Sequence, residues 1–271
     1  MKTKIIAVMS PKGGIGKTIT ATSLAYILGQ EQNKRVLIAD ADAQGNASKT
    51  YNRYDPEGMG MPQIMEGGER LFLSPIYEKA CKKFNNTSEL IQTTDYSNID
   101  IITSNMYLMR ANMKIMQQHS VGQAEILFRA FEEIEGAYDY IIIDCGLLFD
   151  MTVINAIVAA DMVIAPIQAG GFEIDAIQEL QEQAQELRRL NPKLKIKGLM
   201  TMRQKNKFSL AVEEWLKQES GHNMFVTAIR RSIIVARATT NKRPVPAESK
   251  RCVVSLDYRD VVYELRREME E

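Results

Sequence analysis

Residues 11–18 read PKGGIGKT, and this stretch decides the fold. It follows a short apolar run at residues 4–10 and opens a helical pattern that extends from Thr18 to Gln30. A glycine-rich turn between a strand and a helix points backbone N–H groups, and the positive end of the helix, at a bound anion. Glycine suits this turn because the chain must pass close to the anion and adopt positive φ. The stretch therefore predicts a phosphate-binding loop.

The same loop predicts which groups contact a nucleotide. Lys17 is expected to neutralise the β- and γ-phosphates, and the Thr18 hydroxyl is expected to ligate Mg²⁺, so ATP and Mg²⁺ are the predicted cofactors. The alternative is a glycine turn with a solvated lysine, which the flanking strand and helix disfavour. The predicted nucleotide-binding residues are Lys12, Gly13, Gly14, Ile15, Gly16, Lys17, Thr18 and Ile19.

Short apolar runs alternate with helical patterns along the chain, which is typical of βαβ units and a parallel sheet. Helices are clearest at Phe172–Leu190 and Ser209–Glu219, and aliphatic strands indicate that helices cover both faces of the sheet. We predict an α/β fold with a doubly wound, mostly parallel sheet in one P-loop ATPase domain, residues 1–271. The predicted strands are Lys4–Ser10, Arg35–Asp42, Ile99–Ser104, Tyr138–Asp144, Asp161–Ile167, Lys195–Thr201 and Met224–Ile229.

Residues 51–98 are the least regular part of the chain. Glycine and proline are scattered there among short helical fragments, which disrupts any long periodic pattern. We expect this segment to be a helical and loop insertion that follows the second strand.

Composition excludes several classes of protein. The formal net charge is zero, and the three cysteines have no CxxC spacing, so the chain predicts neither a disulfide framework nor a zinc knuckle. No stretch approaches the roughly 20 apolar residues of a membrane span. The C-terminal residues 265–271 end in acidic side chains, which an anionic lipid surface would repel. We expect a cytoplasmic protein without a membrane role.

The first part of the phosphate-binding loop departs from the ordinary pattern. Pro11 stands where a glycine is usual, and a second lysine, Lys12, follows it. This KGGxGKT form resembles the deviant P-loop of the ParA/MinD/nitrogenase-iron-protein group of ATPases. In that group the early lysine reaches across a dimer interface to the partner's nucleotide. The resemblance implies a homodimer that forms on ATP, with Lys12 and Lys17 both catalytic; a solvated Lys12 is the alternative.

Two acidic blocks extend the resemblance. Residues 36–46, VLIADADAQGN, resemble the group's strand ending in DxDPQGN, and residues 140–145, YIIIDC, resemble its Walker B strand. Alternate residues of a strand face the same side, so Asp40 and Asp42 can address one site, although helix capping is the alternative. The resemblance implies that Asp42 orients the attacking water as a catalytic residue. The metal-binding residues that it implies are Thr18, Asp40 and Asp144.

The likeness continues through the second half of the chain. Residues 165–168 match a strand end of the family, and residues 229–244 match a segment that reads IPRN and then GKP in partition ATPases. The chain is most similar to the small ParA-type form, which lacks an N-terminal helix-turn-helix. Three departures, Ala43, Gly146 and Arg230, replace family prolines and leave the hydrolysis rate and partner coupling open.

Basic residues concentrate in residues 191–254, where 14 Lys and Arg face four Glu although the whole chain is neutral. Such asymmetry is typical of a surface that contacts nucleic-acid phosphates, and a solvated basic face is the alternative. The resemblance favours non-specific DNA binding. The candidate DNA-binding residues are Arg203, Arg230, Arg231, Arg237, Lys242 and Arg243.

A methionine stripe is the last pattern. Its members fall three or four residues apart, which places them on one face of a helix, and we interpret the stripe as a packing surface, in the core or against a partner, rather than as a cofactor site. They are Met106, Met109, Met113 and Met116.

These patterns lead to one hypothesis and two rivals. The hypothesis is an ATP-dependent partition ATPase for plasmid or chromosomal DNA, associated with the nucleoid and stimulated by a ParB-like centromere-binding adaptor. The first rival is a nucleotide-gated positioning scaffold of the same superfamily, MinD-like or serving a conjugation or pilus complex, with little DNA binding or turnover. The second is a metabolic ligase that takes a small carboxylated substrate and ignores DNA.

Overall fold

A computed structural model gives the fold, and it describes residues 2–66, 85–118, 122–168, 182, 185–219 and 223–270. The strands in these residues are β1 Lys4–Val8, β2 Val36–Ala41, β3 Ile91–Thr93, β4 Ile99–Ile102, β5 Tyr140–Cys145, β6 Met162–Gln168 and β7 Lys195–Thr201. They form one sheet in the order β3-β4-β2-β5-β1-β6-β7. Neighbouring strands are parallel except β3, which runs antiparallel to β4.

Helices connect the strands. They are α1 Lys17–Tyr26, α2 Asn46–Thr50, α3 Met61–Met65, α4 Tyr107–Gln118, α5 Ile126–Glu132, α6 Met151–Ala159, α7 Lys207–Glu219, α8 Ile233–Thr240, α9 Val245–Glu248 and α10 Val253–Glu270. A π-helical turn, Ile27–Glu31, continues α1. Across the described part of the chain, no helix is both long and apolar enough to span a membrane.

The sheet is covered on both faces. One core contains residues of α3 to α6, and the other contains residues of α1, α2, α8, α9 and α10. Both β2 and β5 are buried along their whole length, which explains their continuous aliphatic sequences. The predicted α/β, doubly wound, mostly parallel sheet is confirmed.

Six predicted strands occur within two residues of their predicted ends, but Met224–Ile229 is wrong. The backbone N–H groups of Phe225 and Ile229 do donate to β7. The N–H of Thr227, which lies between them, donates instead to the carboxylate of Glu264 on α10. Only isolated bridges remain, because a side chain from α10 takes the donor that a continuous ladder needs.

The segment predicted as an insertion contributes more than loops. Its described part contains α3, a 3₁₀ turn at Thr87–Leu90 and the short strand β3. Residues 67–84 lie outside the described residues. The predicted helix Ser209–Glu219 falls within α7, and the predicted Phe172–Leu190 is helical at residues 185–190, its remainder lying largely outside the described residues.

The methionine stripe does not pack in the core of the protein. The four side chains are 49%, 49%, 61% and 58% exposed in chain order. The face of α4 that packs on the sheet is made instead by Leu108, Ala111 and Ile115, which are buried. Both faces have helical spacing, so periodicity alone does not tell which of them turns inward.

Gly60 offers a test of the close packing between α3 and β4. A Cβ on this residue would lie 2.1 Å from the carbonyl oxygen of Thr103, which also accepts the N–H of Met61. We expect Gly60→Ala to lower the free energy of unfolding by about 2–4 kcal/mol, measured by urea denaturation. Gly146→Ala is the control, since its Cβ would meet nothing closer than 3.6 Å. Equal stabilities of the two variants would contradict the prediction.

Candidate functional site

The glycine-rich loop joins β1 to α1 at the carboxyl edge of the sheet. Gly14 and Gly16 adopt φ of +71° and +95°, and a Cβ on either would meet nothing within 4 Å. Glycine is therefore favoured by backbone conformation rather than by crowding. Helix α1 begins at Lys17, and no side chain caps its N-terminus. Its first N–H groups are thus suited to an anion.

Lys17 lies folded over this loop. Its Nζ donates to the carbonyl oxygens of Ser10 at 3.1 Å and Lys12 at 3.0 Å. Burial lowers the pKa of the ammonium, whereas the carboxylates of Asp144 and Asp42 act to raise it. The ammonium therefore lies between loop carbonyls and carboxylates, within reach of anything that the loop binds.

Two contacts that sequence reasoning missed hold the loop in place. The Thr201 hydroxyl, at the end of β7, donates to the carbonyl oxygen of Ile15 at 2.9 Å. Leu147, in the loop after β5, lies near Gly13, since a Cβ on Gly13 would be 4.0 Å from Leu147 Cδ2. No local motif marks either residue, because each approaches the loop from a distant strand.

Asp40 organises the chain that follows β2. One carboxylate oxygen accepts the N–H of Asp42 at 3.2 Å, and the other accepts the N–H and hydroxyl of Ser48 at 2.8 and 2.7 Å. Burial raises the pKa of Asp40, and the hydrogen bonds from Ser48 oppose this rise. Asp40 is therefore well satisfied by protein donors, and Ser48, which sequence reasoning missed, supplies two of them.

Asp144 contrasts with Asp40. The two residues pair in register between β2 and β5, and both are fully buried. Within the described residues, the carboxylate of Asp144 accepts no hydrogen bond of good geometry, and the Thr18 hydroxyl lies close enough to act only as a weak donor. Burial and the neighbouring Asp40 raise its pKa well above the ordinary value, while Thr18 and Lys17 act to lower it. A buried carboxylate without a strong donor is costly unless a cation faces it.

These residues fit a Mg²⁺ ion. Magnesium binds through one or two carboxylates together with nucleotide phosphates and water, rather than in an all-protein cage. Accordingly, the described residues hold no cluster of three or more His, Cys, Asp or Glu side chains that could bind a metal. Asp144, with the Thr18 hydroxyl beside it, could supply the protein ligands, and Asp40 lies behind them.

Asp42 lies at the solvent side of this group and is half-buried. Its Oδ1 accepts the backbone N–H of Gln44 at 2.9 Å, and its carbonyl oxygen accepts the N–H of Gly45 at 2.9 Å. Gly146 lies against it, since a Cβ there would be 3.7 Å from Asp42 Oδ1. The carboxylate is therefore held in one orientation at the mouth of the site.

The six candidate DNA-binding residues lie in two groups. Arg203, Arg230 and Arg231 meet where the chain passes the end of β7, and Arg203 and Arg231 share a backbone hydrogen bond of 3.0 Å. The other three lie on α8 or just after it. Three of the six are held in ion pairs: Arg203 with Glu213, Arg230 with Asp257, and Arg237 with Glu248.

The remaining three are less constrained. A hydrogen bond to Tyr96 raises the pKa of Arg243, so this side chain also has a protein partner. Arg231 and Lys242 are exposed, and neither forms an ion pair with the described residues. They flank α8, a helix about 12 Å long at 1.5 Å per residue.

Comparison with known sequences adds independent evidence. A family model described as an AAA domain matches residues 3–196. The sporulation initiation inhibitor protein Soj of Bacillus subtilis is 29% identical over 245 residues, covering 89% of this chain and 90% of Soj. The chromosome partitioning protein ParA of Caulobacter vibrioides is 28% identical over 262 residues, covering 94% of this chain and 91% of that protein.

Solved structures share the fold. A cobyrinic acid a,c-diamide synthase from Mycobacterium smegmatis, with a bound ATP analogue and magnesium, superposes with a TM-score of 0.79 at 22% identity, covering 99% and 96% of the two chains. A putative plasmid partition protein from Borrelia burgdorferi B31, bound to AMPPNP, superposes with a TM-score of 0.78 at 22% identity, covering 98% and 100%. At these identities the likeness establishes the fold alone.

Proposed function

Because this chain belongs to the AAA domain family, and within it to the ParA and MinD superfamily of partition and positioning ATPases, we propose that it is an ATP-dependent DNA partition ATPase. ATP and Mg²⁺ are its cofactors. The observation that carries the proposal is the buried, poorly satisfied carboxylate of Asp144 beside the uncapped N-terminus of α1. A cation and a polyphosphate together satisfy both features.

The side chains divide the chemistry among them. Lys17 would exchange its loop carbonyls for phosphate oxygens, and Thr18 and Asp144 would hold the metal, while Asp40 keeps the adjoining loop in position. Bound Mg²⁺ would supply positive charge to the β- and γ-phosphates. Asp42, oriented by the N–H of Gln44, positions the attacking water.

A closed dimer would give the exposed Lys12 side chain a role. This residue and Gly13 lie exposed on the outer side of the loop, so the Lys12 side chain is available to a second subunit. A lysine that enters from the partner adds positive charge where the transferring phosphoryl group accumulates negative charge. ATP would thus join two subunits, and hydrolysis would release them.

DNA binding follows from the same dimer. Arg231 and Lys242 contact phosphates directly, whereas Arg203, Arg230, Arg237 and Arg243 shape the surface through their protein partners. Two subunits held together double the number of phosphate contacts, so ATP controls DNA affinity. The protein would reside in the cytoplasm on the nucleoid, and a ParB-like centromere-binding adaptor would stimulate hydrolysis.

One observation favours a second candidate, a nucleotide-gated positioning scaffold with little DNA binding. Four of the six basic candidates already have protein partners, so less positive charge remains for DNA than the sequence indicates. The two candidates differ in one measurable property, which is ATP-dependent affinity for DNA.

That property is tested by binding to random-sequence duplex DNA with ATP, with ADP and without nucleotide, across a series of salt concentrations. We expect tight binding only when ATP is present. The slope of log affinity against log salt concentration should become shallower by about 0.9 for each phosphate contact that is removed. Lys12→Ala should abolish the ATP dependence, and Arg231→Ala with Lys242→Ala should flatten the slope. Arg129→Ala is the matched control, since it removes an exposed arginine from α5.

Absence of DNA binding in every nucleotide state at low salt would overturn the partition proposal and favour the scaffold. An unchanged salt slope in the Arg231 and Lys242 double variant would show that other residues contact the phosphates.

A further inference from the structure

Helix α4 carries a second apolar face that its own core does not use. The exposed face is formed by Met109, Met113 and Met116, and Met106, in the turn just before the helix, extends it; we call these four residues the methionine seam. Their spacing of three, four and three residues matches the a and d positions of a heptad. This is the spacing at which one helix receives the side chains of another.

The seam is unusual for a protein surface. Single exposed apolar residues are common, but a continuous row of them on one helix marks an interaction site. Methionine is also unbranched and polarizable, so a methionine surface can adapt to the side chains of an incoming helix. Residues Leu108, Ala111 and Ile115 already anchor α4 to the sheet, so the seam is not needed for folding.

The charge beside the seam indicates the partner. Helix α4 contains no acidic residue. Arg110 occupies an e position next to the seam, is exposed, and lies 5.3 Å above the Tyr107 ring without an ion pair among the described residues. Lys114 is directed toward another neighbour, since it acts to lower the pKa of Glu66. Residues at e and g positions pair with opposite charge on the partner helix.

We propose that the methionine seam docks an amphipathic helix of a partner protein that has apolar residues at heptad spacing and acidic residues on its flank. A second copy of α4 is a poorer fit. With no carboxylate on α4, Arg110 of one copy would find no opposite charge on the α4 of the other.

The seam also touches the nucleotide site. The Met106 sulfur accepts a hydrogen bond from Gln44 Nε2 at 3.7 Å, and the Gln44 backbone N–H holds Asp42. A helix on the seam would therefore lie beside Met106, which contacts Gln44, the residue whose backbone N–H orients Asp42. Docking depends on the seam alone, whereas any effect of docking on hydrolysis rests on the function proposed above.

The test uses two labelled synthetic helices with identical leucine a and d positions, one flanked by glutamate and the other by lysine. Fluorescence anisotropy with the full chain, without nucleotide or DNA, should give a micromolar Kd for the acidic helix and weaker binding for the basic one. Met109→Ser with Met113→Ser should weaken acidic-helix binding by at least about tenfold. Arg110→Glu should reverse the preference, whereas Val226→Ser, which alters an exposed valine elsewhere, should change neither affinity.

Equal binding of both helices to the wild-type chain and to the methionine double variant would overturn the proposal. So would a wild-type chain that binds neither helix. If the double variant then also loses self-association in a separate measurement with ATP, the occupant is a second copy. The helix-binding measurement itself contains no nucleotide or DNA, so a failure of the partition function does not alter its result.

Discussion

Lys17→Ala should lower the rate of ATP hydrolysis by at least about 100-fold, the cost of removing one preorganised positive donor from a phosphoryl-transfer site. Lys17 is the one lysine that the structure brings between the loop carbonyls and the carboxylates of Asp42 and Asp144, judged on the described residues. Phosphate release measured with saturating ATP and Mg²⁺ gives the effect directly. Lys17→Arg should also be impaired, because a guanidinium is too large and planar for the same position.

A stability measurement on Lys17→Ala distinguishes a loss of catalysis from a loss of folding. The carbonyl oxygens that Lys17 contacts belong to Ser10 and Lys12, and Lys12 is exposed, so water can replace part of the lost bonding. We expect Lys17→Ala to change the free energy of unfolding by no more than about 1 kcal/mol. Lys2→Ala removes a lysine whose side chain is 78% exposed and should leave hydrolysis unchanged. Hydrolysis by Lys17→Ala within threefold of the wild type would contradict the assignment.

Asp144→Asn should have opposite effects on stability and on activity. The wild-type carboxylate is buried, has only the Thr18 hydroxyl as a weak donor among the described residues, and is repelled by Asp40. Replacing it with a neutral group of equal size should raise the free energy of unfolding, without ligands, by about 1–3 kcal/mol. The same change removes the carboxylate that we propose as a metal ligand, so hydrolysis should fall by at least about 100-fold.

Urea denaturation with and without Mg²⁺ and ATP measures both sides of this prediction. The wild type should gain stability from the ligands, and Asp144→Asn should gain much less. Asp139→Asn is the control, because hydrogen bonds from Arg35 lower the pKa of Asp139 and its charged form stabilises the fold. That variant should lose up to about 1 kcal/mol and keep its activity. A ligand-free Asp144→Asn protein that is less stable than the wild type would refute the argument.

Much of the nucleotide site could be predicted because its parts are local in sequence. The phosphate-binding loop, Asp40, Asp42 and Asp144 each end a buried strand, and parallel strands bring their carboxyl ends to one edge. The supporting residues could not be predicted in this way. Ser48 and Thr201 act through single hydrogen bonds to distant backbone or carboxylate groups, and a lone hydroxyl leaves no pattern in a sequence.

The basic segment shows that counting charges along the sequence does not give the number of unpaired basic groups in the fold. By sequence, residues 191–254 are strongly basic, yet two of the carboxylates that neutralise them, Asp257 and Glu268, belong to α10, outside the segment. Ion pairs form between residues that folding brings together, whatever their separation along the chain. How many basic groups stay unpaired was therefore decided by tertiary packing, and α10 accounts for two of those that are paired.

The sequence by itself determined the alternation of strands and helices and the chemistry of the loop, because both depend on residues close together in the chain. Tertiary structure decided which helical face is buried. On α4 the methionine seam and the row containing Leu108 and Ile115 share one period, and contact with the sheet selected the second row. Tertiary structure also decided that the Thr227 N–H donates to the carboxylate of Glu264 and not to a carbonyl of β7. Which acceptor it meets depends on distances in the folded chain.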